Sequence, residues 1–289
     1  MQKVKEALAK SYQDSIKNYF LKYQDNNSDG PGKKSIKKQE KVLIASIEQY
    51  VRDREDIIQK WTDTPLDKMK GKTPGDVIMG ITAPDTLLDI FVYMADNTDE
   101  IVPPVLIKRL KDFRNLTVPR LYMIAKENQN MSGKSGCQFS AVVSALGSIG
   151  HIECVEYLIS LADEVCDSES DLEQVEEALI KSGTLAIEPI LKKLENSKSG
   201  NAEKMLLYVL ALAGSDKKDE RIYQRLRDAF RSNDDKLPVV ICFGVYNDSR
   251  AVTVLRGFLN RDRHNINQSL LYEIIGTIRK LGGTTDDFY

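Results

Sequence analysis

The chain has 289 residues, 42% hydrophobic and 29% charged, with a formal net charge of -2 and a pI near 5.9. This composition is that of soluble globular proteins, and the near-neutral total gives no general attraction to nucleic acid or to an anionic membrane. The cysteines at 137, 154, 166 and 242 show no CxxC spacing, and no apolar run approaches the roughly 18 residues of a membrane helix.

Reduced thiols suit a cytoplasmic protein. The first twenty residues are charged and amphipathic, without the apolar stretch of a secretory signal. Val4, Leu8, Tyr12, Ile16, Tyr19 and Phe20 recur at helical spacing, which predicts a helix over 3–23. A polar, turn-rich segment follows at 24–35. Within it, Asp25, Asn27, Asp29 and Gly30 match the first half of a calcium loop, but Gly32 and Ile36 stand where an apolar residue and a bidentate Glu are needed. The expectation is a polar linker. A second helix is predicted over 36–60, with Val42, Leu43, Ile47, Tyr50, Val51 and Ile58 on its inner face.

Gly71-Lys72-Thr73 copies the end of a phosphate-binding loop. The first glycine of that motif would fall on Leu66, no strand precedes it, and Pro74 follows the threonine. The repeated pattern Thr64-Pro65-Leu66-Asp67 and Thr73-Pro74-Gly75-Asp76 instead predicts two capped helix starts around a Lys70-Gly71-Lys72 turn. From Trp61 to Pro74 the segment resembles a short element of some antitoxin C-terminal domains and SEC-C proteins. The metal-binding cysteines of the latter are missing here, so no metal is implied.

From residue 101 onward a repeat emerges. Gly150, Gly183, Gly214, Asn247 and Gly282 lie 31 to 35 residues apart, and each suits the left-handed position that ends a helix. An apolar residue follows the first four at eight positions (Leu158, Leu191, Ile222, Leu255) and another at eleven or twelve (Leu161, Leu194, Leu226, Leu259). A preceding unit is expected from Pro103–Phe113 and Thr117–Asn128, with Pro119 near a helix start. No alternating strand pattern occurs, so the fold class is all-α: an α-solenoid of helix pairs with an N-terminal helical extension. The domains expected are an N-terminal region at 1–60, a capping segment at 61–100 and an array at 101–289. The array resembles HEAT repeats, particularly the short bacterial type named after phycobilisome lyases. That resemblance implies a binding scaffold more often than an enzyme.

Little in the chain suggests catalysis. His151 and His264 stand in different units, and Cys137 and Cys154 are expected as buried structural thiols. No cofactor or metal is expected. Charge is segregated, however. Between Lys134 and Lys181 there is no Lys or Arg but ten acids, whereas arginines cluster later, at 221, 225, 227, 231, 250, 256, 261 and 263. The candidate partner-binding residues are Arg221, Arg225, Arg256 and Arg263, Glu153 and Glu156, and Lys70 and Lys72. The expectation is a non-enzymatic scaffold for a protein or peptide. The alternative is a nucleic-acid-binding, glycosylase-like HEAT protein, which the acidic middle disfavours.

Overall fold

The computed structural model describes residues 1–26, 36–98, 101–195, 200–262 and 266–286. No strand occurs among them, so the all-α reading holds. The chain forms two compact units, residues 1–141 and 142–289.

The first unit contains α1 (Gln2–Asn26), α2 (Ile36–Asp63), α3 (Pro74–Met79), α4 (Pro84–Asn97), α5 (Pro104–Asp112) and α6 (Arg114–Asn128). Leu8, Tyr12 and Ile16 of α1 are buried as their spacing predicts. The buried face of α2 differs from the expected one. Tyr50, Ile58 and Trp61 are buried, but Ile47 and Val51 are exposed. The reason is the pairing with α1: Trp61 stacks on Tyr12 at 4.9 Å and donates to Ser11, while Tyr19 donates to Asp53 at 2.8 Å. These contacts rotate α2 so that its polar Asp53 face turns inward.

The TDTPLDKMKGKTPGDVI segment holds one capped start. Thr73 and Asp76 form a capping box at α3, with Pro74 at the first helical position. Thr64 instead bonds back to the Lys60 carbonyl, and only a short 3-10 turn, Asp67–Met69, follows. Lys70 and Gly71 both take positive φ, so the backbone N–H groups here close a local turn onto Leu66 and Met69. α4 and α5 complete this core through Leu87, Phe91, Met94, Leu106 and Leu110. α6 begins at Arg114, three residues before the expected start, and this places Pro119 inside the helix. Among the described residues no single helix is long and apolar enough to cross a membrane. A pair bent by 107°, Asp67–Met79 with Pro84–Asn97, passes on length and composition only when joined.

α7 (Lys134–Ile149) leads from the first unit into the second. There follow α8 (Ile152–Glu164), α9 (Glu169–Ser182), α10 (Ile187–Leu194), α11 (Asn201–Ala213), α12 (Glu220–Ser232), α13 (Leu237–Tyr246), α14 (Arg250–Asp262) and α15 (Gln268–Lys280). Helices α9, α11, α13 and α15 pack each on the next, while α8 packs on α10 and α10 on α12.

Gly150, Gly183, Asn247 and Gly282 take positive φ as their alignment predicts, but Gly214 does not. Its requirement is space. A Cβ there would sit 2.4 Å from Ile222 Cδ1 and 3.1 Å from Tyr246 Cε2. Of the aligned apolar residues, all are buried except Leu191, which is displaced by Ile190. A 3-10 turn at Gly183–Ala186 precedes α10, and its three residues per turn shift the inward face by one position.

Gly214→Ala should destabilise the protein by about 1–3 kcal/mol through overpacking. Urea unfolding checks this, and a midpoint equal to that of the parent would show that Ile222 and Tyr246 yield without cost.

Candidate functional site

The candidate arginines fall into two groups, those used inside the chain and those left over. At the start of α12, Asp219 caps the helix by accepting from the Arg221 N–H at 2.9 Å. The Arg221 guanidinium bridges Asp219 and Glu188 of α10. One pair later, Arg250 repeats the arrangement with Asp248 and with Glu220 of α12 at 2.6 Å, and it stacks 4.0 Å over Tyr223. Bonds from these guanidinium groups hold the carboxyls of Glu188, Asp219, Glu220 and Asp248 below the usual range and raise both arginines.

Arg225 points from α12 to Glu203 of α11, a carboxylate only 4% exposed. Arg256 donates to the Thr284 carbonyl. These side chains tie the second unit together. Lysine–acid pairs at similar separations, Lys193 with Asp163 and Lys204 with Asp235, extend the same pattern. Glu153 accepts from Tyr157 on α8, Glu156 is exposed on the same helix, and Lys70 and Lys72 lie exposed in the first unit. Arg263 lies outside the described residues, as do His264, Lys33, Lys34 and most of the calcium-like loop. The candidates therefore converge on no single site.

What does converge is a groove between the C-terminal halves of α12 and α14. It has a volume of about 480 Å³, and Phe230 and Phe258 form its floor. The two rings meet edge to face at 5.3 Å, an arrangement that suits their quadrupoles. Gly257 leaves one wall without a side chain, and Val254 and Thr253 continue it. Lys236 is held at the base by the carbonyls of Phe230 and Asn233, both at 2.9 Å, and lies over both rings.

Arg231 and Arg261 flank the groove. Each stands in the last turn of its helix. Arg231 has only Asp228 nearby, at 3.9 Å, and its side chain is 65% exposed. Arg261 makes no ion pair among the described residues. Against these three cations the lining holds one acid, Asp262. Cations in a last helical turn complement the helix dipole, and here Arg231 and Arg261 also gather with Lys236 beside one aromatic floor. Sequence reading noted both arginines within a cluster of eight. What singles them out is their place beside Lys236 in the groove lining, which only the fold brings together.

The thiols divide as well. Cys154 is buried, as expected, and Cys242 is pushed up to about 12 by burial, so its thiol stays protonated. Cys137 is exposed, contrary to expectation, because its apolar neighbours Phe139 and Val142 face the core and it does not. His151 caps α8 by accepting from the Glu153 N–H through Nδ1. In the acidic span, burial followed by repulsion from Glu173 and Glu177 pushes the Glu176 carboxyl up. Among the described residues no group of three His, Cys, Asp or Glu side chains is placed to hold a metal ion. No family model, curated protein or solved structure matches the chain.

Arg225→Ala should cost about 3 kcal/mol, since it strands the buried Glu203 carboxylate. Chemical denaturation would reveal this, and a loss below about 1 kcal/mol would put Glu203 in contact with solvent. The Arg221 and Arg250 bridges also predict a pH dependence. Their carboxyl partners have folded values below the unfolded ones. The stabilisation is therefore present above the ordinary carboxylate range, about pH 4, and is lost as pH falls through the depressed values. Combining Arg221→Gln with Arg250→Gln should flatten the fall of melting temperature below about pH 4. An unchanged acid limb would assign the pH dependence to other carboxyls.

Proposed function

We propose that this chain is a non-enzymatic protein- or peptide-binding module built as an α-solenoid of HEAT-like helix pairs. Its binding site is the cationic aromatic groove between α12 and α14. The successive packing of α9, α11, α13 and α15, with left-handed turns closing most pairs, supports the solenoid reading. One observation carries the binding role. Arg231, Arg261 and Lys236 line one groove with an aromatic floor, and among the described residues no acid from another helix pairs with Arg231 or Arg261 as acids do with Arg221, Arg225 and Arg250.

Clustered charge of one sign steers a partner of the opposite sign and sets its register, while apolar floor contacts supply most of the affinity. The partner on this reading is a protein or peptide with an acidic surface. A nucleic acid fits less well, because the groove ends at Asp262 and the preceding span of the same unit is acidic.

Charge reversal at Arg231 and Arg261, each to Glu, should reduce partner recovery at least tenfold in quantitative affinity capture from a native lysate. Reversal of Lys70 and Lys72 should leave recovery intact. Equal recovery by the parent and the Arg231/Arg261 variant would remove the groove as the binding site.

A further inference from the structure

The cations of the groove have a counterpart elsewhere in the same unit. We propose that the groove holds the acidic outer face of α9 from a second copy of this chain, so that copies associate head to tail. This rests on the binding-module reading and names the partner of the same groove.

Residues 135–180 include ten acids and no Lys or Arg. Four of the acids, Glu169, Glu173, Glu176 and Glu177, recur at i, i+4, i+7 and i+8 along α9 and so share one side of the helix. That side turns away from the core. Val175, Ala178 and Leu179 are buried, while Glu169, Glu173 and Glu177 are exposed. Among the described residues none of the four makes an ion pair. Burial, followed by repulsion from Glu173 and Glu177, pushes the Glu176 carboxyl up, so the charge on this face is not balanced by its own chain. Leu172 and Ile180, both half-buried, stand one turn on either side of Glu176.

The groove presents the complement. Arg231, Lys236 and Arg261 line it against one acid, Asp262, and Phe230 and Phe258 give it an aromatic floor. A helix laid in such a groove sets its apolar side chains on the floor and its charges against the rim. On the α9 face, Leu172 and Ile180 supply the first and the flanking glutamates the second. Within one chain α9 packs on α8 and α11, whereas α12 packs on α10, α11 and α13. The acidic face and the groove thus lie on separate helices, and a second copy is what brings them together. One face meets a different one, so the contact is heterologous. Guanidinium groups brought against α9 also relieve the repulsion felt by Glu176. One helix in one groove buries less than about 1,200 Å², the range of weak and transient contacts. Opposite clustered charges steer such contacts and fix their orientation.

The test is sedimentation velocity on the full chain between about 10 and 300 μM, where contacts of this size populate. At about 50 mM salt the mean mass should rise with concentration above the single-chain 32.6 kDa. The rise should shrink at about 300 mM salt, where screening shortens to a few ångströms. Two paired substitutions, Glu173→Lys with Glu177→Lys and Arg231→Glu with Arg261→Glu, should each abolish association without changing the melting temperature. The milder pair Glu173→Gln with Glu177→Gln should weaken it at least fivefold. An equimolar mixture of the two charge-reversed proteins should associate again, because one keeps the groove and the other keeps the α9 face. Lys70→Glu with Lys72→Glu changes the net charge as much as the groove pair does and should leave association intact.

A parent that stays at the single-chain mass throughout would overturn the self-docking. So would a mixture that fails to associate, or an equal loss from the Lys70 and Lys72 pair. If the parent does not self-associate but Arg231→Glu with Arg261→Glu abolishes partner capture, the groove serves a different acidic protein and the binding-module reading stands. If capture survives as well, that reading itself falls.

Discussion

The geometry of the second unit depends on the hydroxyl of Tyr246. This side chain, fully buried at the end of α13, accepts from the Asp219 N–H at 2.9 Å and donates to the Asp219 carbonyl at 2.8 Å. It thereby fixes the residue that caps α12 and sets the direction in which that helix leaves its turn. Lys218 closes the same corner by reaching the Tyr246 carbonyl and lying over its ring at 4.6 Å. Gly214 is small because the ring needs the space beside it. Buried hydroxyls with both donor and acceptor roles satisfied are rigid reference points. From this one follow the placement of Arg221 on Glu188, the aromatic chain Tyr223, Phe243, Phe230 and Phe258, and the groove at the far end of α12.

Arginine serves two purposes in this unit, and the difference lies in register. Near the start of α12 and α14, each guanidinium finds an acid two residues before it in the chain and another one helix pair back. Near the ends of the same helices Arg231 meets only Asp228 of its own helix, and Arg261 makes no ion pair, among the described residues. The same residue type is tied to neighbouring helices at one end of α12 and α14 and not at the other. Exposed pairs of this kind each contribute little stability. Their effect is to set the register of one helix pair on the next.

Much of the fold was legible in the sequence. The helical period and the Gly or Asn turns are local properties, and four of the five aligned turn residues take a positive φ, although Gly183, with ψ −134°, is not left-handed helical. Thr73 likewise caps a helix by a side-chain bond within its own turn. What escaped sequence reading depends on distant neighbours. Ile47 and Val51 fit an apolar stripe but are exposed, because Tyr12 and Tyr19 of α1 choose a different face of α2. Gly214 has the right identity for a reason other than the expected one. Arg225 reads as a surface charge until Glu203, twenty-two residues earlier, is found buried against it. Charge composition along the chain marked the region that carries the groove, but only the three-dimensional register separates its answered cations from its unanswered ones.

The two rows of the second unit differ in stiffness. Where α9, α11, α13 and α15 face one another their apolar side chains are buried, and such packing resists deformation because every displacement opens a void. Between α12 and α14 the described contacts are the Phe230–Phe258 ring pair toward one end, and Arg250 bridging Glu220 and lying over Tyr223 at the other. The unit is thus a rigid spine with a compliant edge, and the Arg250–Glu220 bridge acts as a spring whose constant falls with ionic strength. Raising the ionic strength therefore weakens what joins α12 to α14 and leaves the buried row as it is.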